Sequence, residues 1–193
     1  MILLGSTLLH MPVMGLQTGA ELARLSKPII DPASLAIIAY ELEGAILAHH
    51  PSLLRIADVR ELSDIGMIVD SSDEFVRPED VISLQSLYKL HFSLIGMPVT
   101  DEHRHKLGKV TDFTLDTTGF IVQQLNVKRP MLKSLSDTEL LIHRSQIIEI
   151  NNQSIVVHSE AKVPEPERHE VIGSYVNPFR KSEPAIEPAQ LKQ

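Results

Sequence analysis

The segment Lys106–Val127, KLGKVTDFTLDTTGFIVQQLNV, reads as a strand, a tight turn and a second strand. Asp116-Thr117-Thr118-Gly119 supplies the reversal, with Asp at the first turn position and a glycine at the end that suits a positive φ. Beyond it, Ile121, Gln123, Leu125 and Val127 share one face of a period-two strand and are expected to point into a core, with Gln123 the one polar member. Phe120 and Val122 lie on the opposite face, which turns polar at Asn126.

A variant of the same segment occurs earlier, over Leu22–Leu42. The tripeptide Met11-Pro12-Val13 recurs as Met97-Pro98-Val99, and aligning the two brings the following residues into step with small gaps. Leu22–Leu25 falls on Leu107–Val110, Ile30-Asp31 on Leu115-Asp116, and Leu35–Leu42 on Phe120–Val127. Val59–Leu62 then meets Ile147–Ile150, and Met67–Val69 meets Ile155–Val157. The period is about 85 residues, which is the size of a small domain. In the first copy Asp31-Pro32-Ala33-Ser34 makes the turn, with Asp and Pro in the positions that suit type I. Ala36, Ile38, Tyr40 and Leu42 are the expected core face of the strand after it. Leu35 and Ile37 stand opposite, so this strand opens apolar on both sides in each copy. Such a strand packs against a second layer, a sister domain or a partner. Leu35, Ile37, Phe120 and Val122 are therefore candidate interaction residues.

Between the copies, Pro78–His91 carries the marks of a helix: Pro and acids at its start, and an apolar stripe of Val81, Leu84, Leu87 and Tyr88. It is expected to connect the copies and to cover an open end of the first. A shorter helical turn is expected near Leu132–Leu141, with Ser136 or Asp137 as cap. From Ala161 onward Pro, Glu, Lys and Gln replace apolar residues, predicting a flexible tail without its own core. The island Tyr175–Arg180 breaks that composition, and Tyr175 and Phe179 are candidates for docking.

The order of short strands in each copy, with Leu107-Gly108-Lys109-Val110-Thr111-Asp112 and Arg144–Ile150 as the best-matching segments, resembles the PRC-barrel family. Its members include the C-terminal domain of the ribosome-maturation factor RimM and the cytoplasmic domain of the photosynthetic reaction-centre H subunit. The resemblance spans roughly residues 8 to 160. The first copy departs from the pattern at Ala23, where the second has Gly108, and at Pro28. The resemblance implies a mainly β protein of two tandem small PRC-type β-barrels with a connector helix and a disordered C-terminal tail. The expected organisation is 1–76 as first barrel, 77–91 as helix, 92–160 as second barrel and 161–193 as tail. It also implies an interaction or assembly module, and it supplies no catalytic residue.

Composition narrows the chemistry. The absence of Cys removes disulfides, thiolate metal sites and Cys nucleophiles, and fits a reducing, cytoplasmic setting. The net charge of −7 is carried by residues 1–85, with twelve acids and five bases, which disfavours phosphate binding there. The apolar N-terminal stretch lacks a basic region and contains the repeated Met-Pro-Val, so it reads as part of the first copy and not as a signal peptide. No run reaches the roughly 18 to 20 apolar residues of a membrane span. His103 and His105 could share a strand face, but Arg104 and Lys106 set cations among them, against a divalent ion. Asp70–Glu74 lacks the glycine and closing Glu of a calcium loop, Gly108-Lys109 lacks the spacing of a phosphate loop, and no G-x-S-x-G is present. The expectation is a non-enzymatic protein-interaction or scaffold module with a protein partner and no cofactor. The alternative is a ribosome-maturation-like factor contacting RNA or a ribosomal particle. Lys128 and Arg129 would lead a basic surface formed with Lys106, Lys109, Lys133 and Arg144.

Overall fold

The computed structural model describes residues 1–129, 139–151 and 153–158, all within one compact unit that ends at Ser159. The tail, with Tyr175 and Phe179, lies outside the described residues. The chain is mainly β. Strand β1 (Ile2–Leu4) and a 3-10 turn (Gly5–Leu8) lead into β2 (Pro12–Gly15), β3 (Glu21–Ile30), β4 (Ile37–Glu43) and β5 (Ser52–Arg55). Then come β6 (Glu61–Ser63), β7 (Gly66–Val69), β8 (Phe75–Val76) and helix α1 (Ile82–Lys89). The second half holds β9 (Pro98–Asp101), β10 (Lys106–Asp116), β11 (Ile121–Lys128), β12 (Glu139–His143), β13 (Ile147–Ile150) and β14 (Ile155–Val157).

There are two seven-stranded sheets, and six strands of each follow the same order. The first runs β6-β7-β2-β3-β4-β5-β8, and the second runs β13-β14-β9-β10-β11-β12 with β1 added beside β10. In both, one parallel pair interrupts the antiparallel order: β2 with β7, and β9 with β14. The equivalence extends to single bonds. The Met11 carbonyl accepts from Leu25 N–H as the Met97 carbonyl accepts from Val110 N–H, at 3.0 and 2.9 Å. Likewise His10 N–H donates to the Leu25 carbonyl, and Gly96 N–H to that of Val110.

The bulges correct the expected core face. Ile29 is opposite Ala39 and Ile30 opposite Ile37, leaving Ile38 as an extra residue on β4. Thr114 is opposite Gln124 and Leu115 opposite Val122, leaving Gln123 extra on β11. One inserted residue reverses the phase of everything before it. Leu35, Ile37, Phe120 and Val122 therefore join Tyr40, Leu42, Leu125 and Val127 in one core, while Ile38, Ile121 and Gln123 are only half-buried. Gln123 is tolerated because it is the bulge residue.

The turns also differ from expectation. The positive φ falls on Leu35 (60°) and Phe120 (49°), one place beyond the expected Gly119. Asp31 and Asp116 hold the turns by accepting from Ala33 N–H (3.0 Å) and Thr118 N–H (3.1 Å). Gly108 serves a close approach instead: a Cβ there would lie 2.2 Å from the Lys128 carbonyl oxygen.

The connector is shorter than predicted. Val81 is extended, separating a 3-10 turn at Pro78–Asp80 from α1. Its stripe covers the outer face of the first sheet, not an end, packing Leu84 against Ile29, Ala39 and Leu53. The bulge explains this, since it sends Ile29 and Ala39 outward. In the second half those places hold Thr114 and Gln124, so the equivalent face is more polar. Leu141, the counterpart of buried Leu53, is 51% exposed. The helical turn expected near Leu132–Leu141 falls partly outside the described residues, and from Glu139 on the chain is β12.

The two sheets share one core. Leu25, Leu42 and Met67 of the first cluster with Val110, Leu125 and Ile155 of the second. A carboxylate at Leu125, which has no solvent exposure, is costly without a partner. Leu125→Asp is expected to destabilise the protein by about 4 kcal/mol or more and to unfold both halves together. Amide chemical-shift dispersion of first-half residues in the variant checks this, because retained first-half signals would mean separate cores.

Candidate functional site

The halves meet at the residues after each turn. Ile37 N–H donates to the Phe120 carbonyl at 2.8 Å, and Val122 N–H donates to the Leu35 carbonyl at 2.9 Å, flanking an antiparallel bridge between Ala36 and Ile121. Leu35 corresponds to Phe120 and Ile37 to Val122, so the contact repeats itself under exchange of the halves. A pseudo-two-fold axis passes between Ala36 and Ile121. All four candidate apolar residues are thus buried in the joint between the halves.

On the same axis lies a groove of about 320 Å³ with a largely apolar lining. Four equivalent pairs contribute to its lining, Leu9 with Ile95, Ser26 with Thr111, Lys27 with Asp112, and Pro28 with Phe113, while Gly5, Ser6, Ile30, Ser93 and Leu94 line it without a counterpart there. Leu9 and Ile95 are 41% and 48% exposed. Gly5 lies flat on the Phe113 ring, where a Cβ would come within 2.5 Å of it. The groove exists because β3 and β10 are bulged at the same place, between Leu25 and Pro28 and between Val110 and Asp112. The bulge turns Lys27 and Asp112 to the groove at equivalent positions.

These two residues break the symmetry. The Asp112 carboxylate accepts from Ser6 N–H (3.2 Å), Ser6 Oγ (2.5 Å) and Phe113 N–H (2.7 Å), tying the N-terminal turn to the second sheet. Lys27 makes no salt bridge among the described residues; it also borders a small neighbouring cavity that contains Glu41. None of the groove residues was a candidate from sequence. The signal was present in the aligned repeats, as Leu-Ser-Lys-Pro against Val-Thr-Asp-Phe, but its meaning depends on the bulge.

Lys128 and Arg129 are exposed at the end of β11. Lys109 is directly opposite Lys128, where the first half places Arg24 opposite Glu43. Arg144 does not join them and donates instead to the Ser34 carbonyl at 3.2 Å, across the joint. Lys133, Tyr175 and Phe179 lie outside the described residues. The acidic run is a 3-10 turn capped by Ser71, with Asp70 paired to Arg60. Among the described residues no three His, Asp or Glu side chains converge as metal ligands, and no helix is long and apolar enough to cross a membrane. No family model and no curated protein matches this chain.

The expected histidine pair belongs to a hairpin organised by Asp101, which is 5% exposed. Its carboxylate accepts from the backbone N–H groups of His103 (2.9 Å) and His105 (2.8 Å) and lies 2.8 Å from His105 Nδ1. Desolvation pushes the Asp101 pKa up, but the His105 and His103 bonds outweigh it and hold it below the usual carboxylate value. A folded pKa below the unfolded one stabilises the protein above about pH 4, and that contribution disappears as pH falls through the folded pKa. Asp101→Asn should therefore be less stable than the wild type at pH 7 and should show a shallower loss of stability below pH 4. Urea unfolding across that range checks the sign.

Proposed function

We propose that this chain is a non-enzymatic interaction module, two PRC-type β-barrels fused about a pseudo-two-fold axis, which holds a segment of a protein partner in the axial groove. The observation that carries the reading is the groove itself, a concave apolar site with Leu9 and Ile95 left open to solvent at its rim. Its two ionisable groups do not form an acid–base pair with each other, and Asp112 is committed to three hydrogen bonds. Such a lining supports recognition in place of bond-making chemistry. Lack of Cys supports placing the module in a reducing, cytoplasmic setting.

A second reading, contact with RNA or a ribosomal particle, is favoured by the Lys109–Lys128 pair beside Arg129, which makes no salt bridge among the described residues. Like charges set opposite on a sheet oppose folding, and an anionic partner would relieve them. One experiment separates the readings. Affinity purification from nuclease-treated extract, with the wild type, Leu9→Asp/Ile95→Asp and Lys128→Glu/Arg129→Glu compared, is expected to lose its protein partner only with the groove variant. Both substituted groove positions are partly exposed, so an unchanged melting temperature checks their folding. Loss confined to the charge variant, together with nuclease sensitivity, would assign function to the basic end.

A further inference from the structure

We propose that the chain forms a symmetric homodimer by pairing the outer edge of β12, Glu139–His143, antiparallel with the same strand of a second copy. This goes beyond the groove reading and does not depend on it. Among the described residues the sheet edges differ in how they are closed to further pairing. Strands β1, β6 and β8 have only 3, 3 and 2 residues, and β13 carries a bulge against β14. Short strands and bulges both discourage the addition of another strand. Strand β5 lies inside its sheet, because β8 pairs along it through Leu53 with Val76 and Leu54 with Phe75. Its counterpart β12 ends the second sheet, with five residues in unbroken register with β11. It holds no Pro, no Lys and no bulge. Glu139, Leu141 and His143 are exposed, while Leu140 and Ile142 pack on the core.

The strand is its own complement. Placed antiparallel on itself in the register that pairs every residue, Glu-Leu-Leu-Ile-His sets Glu139 opposite His143 of the second copy at both ends. Leu140 then lies opposite Ile142, and Leu141 meets itself on the two-fold axis. No like charges face each other, and the contact closes after two copies. His143 Nδ1 accepts from Ser145 N–H at 3.2 Å, which leaves Nε2–H to donate to the Glu139 carboxylate. A strand of unrelated sequence would share the backbone bonds but not this match of side chains. The net charge of −7 does not oppose the contact directly, since it is carried by residues 1–85, and the half that holds β12 has equal numbers of acids and bases over residues 86–160.

Sedimentation equilibrium of the full chain over a wide concentration range, with hydrogen exchange at the β12 amides, tests this. The expected result is a reversible monomer–dimer equilibrium, with the β12 amides better protected at high concentration than at low. Leu141→Lys is expected to weaken dimerisation at least about tenfold, the scale of one lost apolar contact. Glu139→Lys is expected to weaken it about fivefold, and Glu139→Lys/His143→Glu, which exchanges the two ends, to restore it. A carboxylate at position 143 can still accept from Ser145 N–H. All three positions are exposed, so an unchanged melting temperature of the diluted variants checks their folding. A monomer at every concentration overturns the proposal, whether the β12 amides then exchange freely or are protected by another part of the chain. A dimer that is unaffected by Leu141→Lys, or not restored by the exchange of ends, overturns it as well.

Discussion

Two backbone hydrogen bonds between the halves, Ile37 to Phe120 and Val122 to Leu35, set the position of everything else. Each amide that reaches across belongs to the residue two places beyond a left-handed one, and Leu35 and Phe120 adopt that backbone without being glycine. The strain costs about 1–2 kcal/mol at each, and each bond returns about 1 kcal/mol net. The bonds alone therefore do not hold the joint. Burial of Leu35, Ile37, Phe120 and Val122, at about 1.5–3 kcal/mol each, decides it in favour of association. Hydrogen bonding fixes the register, and apolar burial supplies the stability.

Once that joint is fixed, the axis it defines brings equivalent surfaces together, which is how two ordinary bulges become the walls of one groove. Neither half alone encloses it: β3 supplies Ser26, Lys27 and Pro28, and β10 supplies Thr111, Asp112 and Phe113. The N-terminal segment strengthens the connection, because β1 pairs with β10 and Ser6 binds Asp112 while Leu8 enters the common core. Where the copies have diverged, the surroundings follow. Ile29 and Ala39 require the cover of α1, whereas Thr114 and Gln124 can face water.

The repeat was legible in sequence because turns and apolar positions survive when identity does not; the Met-Pro-Val anchor alone brought β2 and β9 into register. The stripe of α1 was legible for the same reason. The phase of β4 and β11 was not. A bulge adds one residue without any compositional mark, so Gln123 looked like a flaw in a core face when it is the inserted residue. The left-handed turn residue was missed because glycine is the usual signal, and here tertiary contacts hold Leu35 and Phe120 in that conformation. The groove was beyond reach of a linear reading, since its opposing residues are about 85 positions apart and meet only through the axis. Candidates chosen for apolarity were instead consumed by the joint.

Native-state hydrogen exchange at the Ile37 and Val122 amides tests most directly whether the two halves form one body. The account predicts that both exchange only through global unfolding, with the same free energy as the Leu25 and Val110 amides in the two sheets. Exchange of Ile37 and Val122 at a lower free energy, with the sheets remaining protected, would contradict it, because the halves would then separate without unfolding and the groove between them would not be a fixed site.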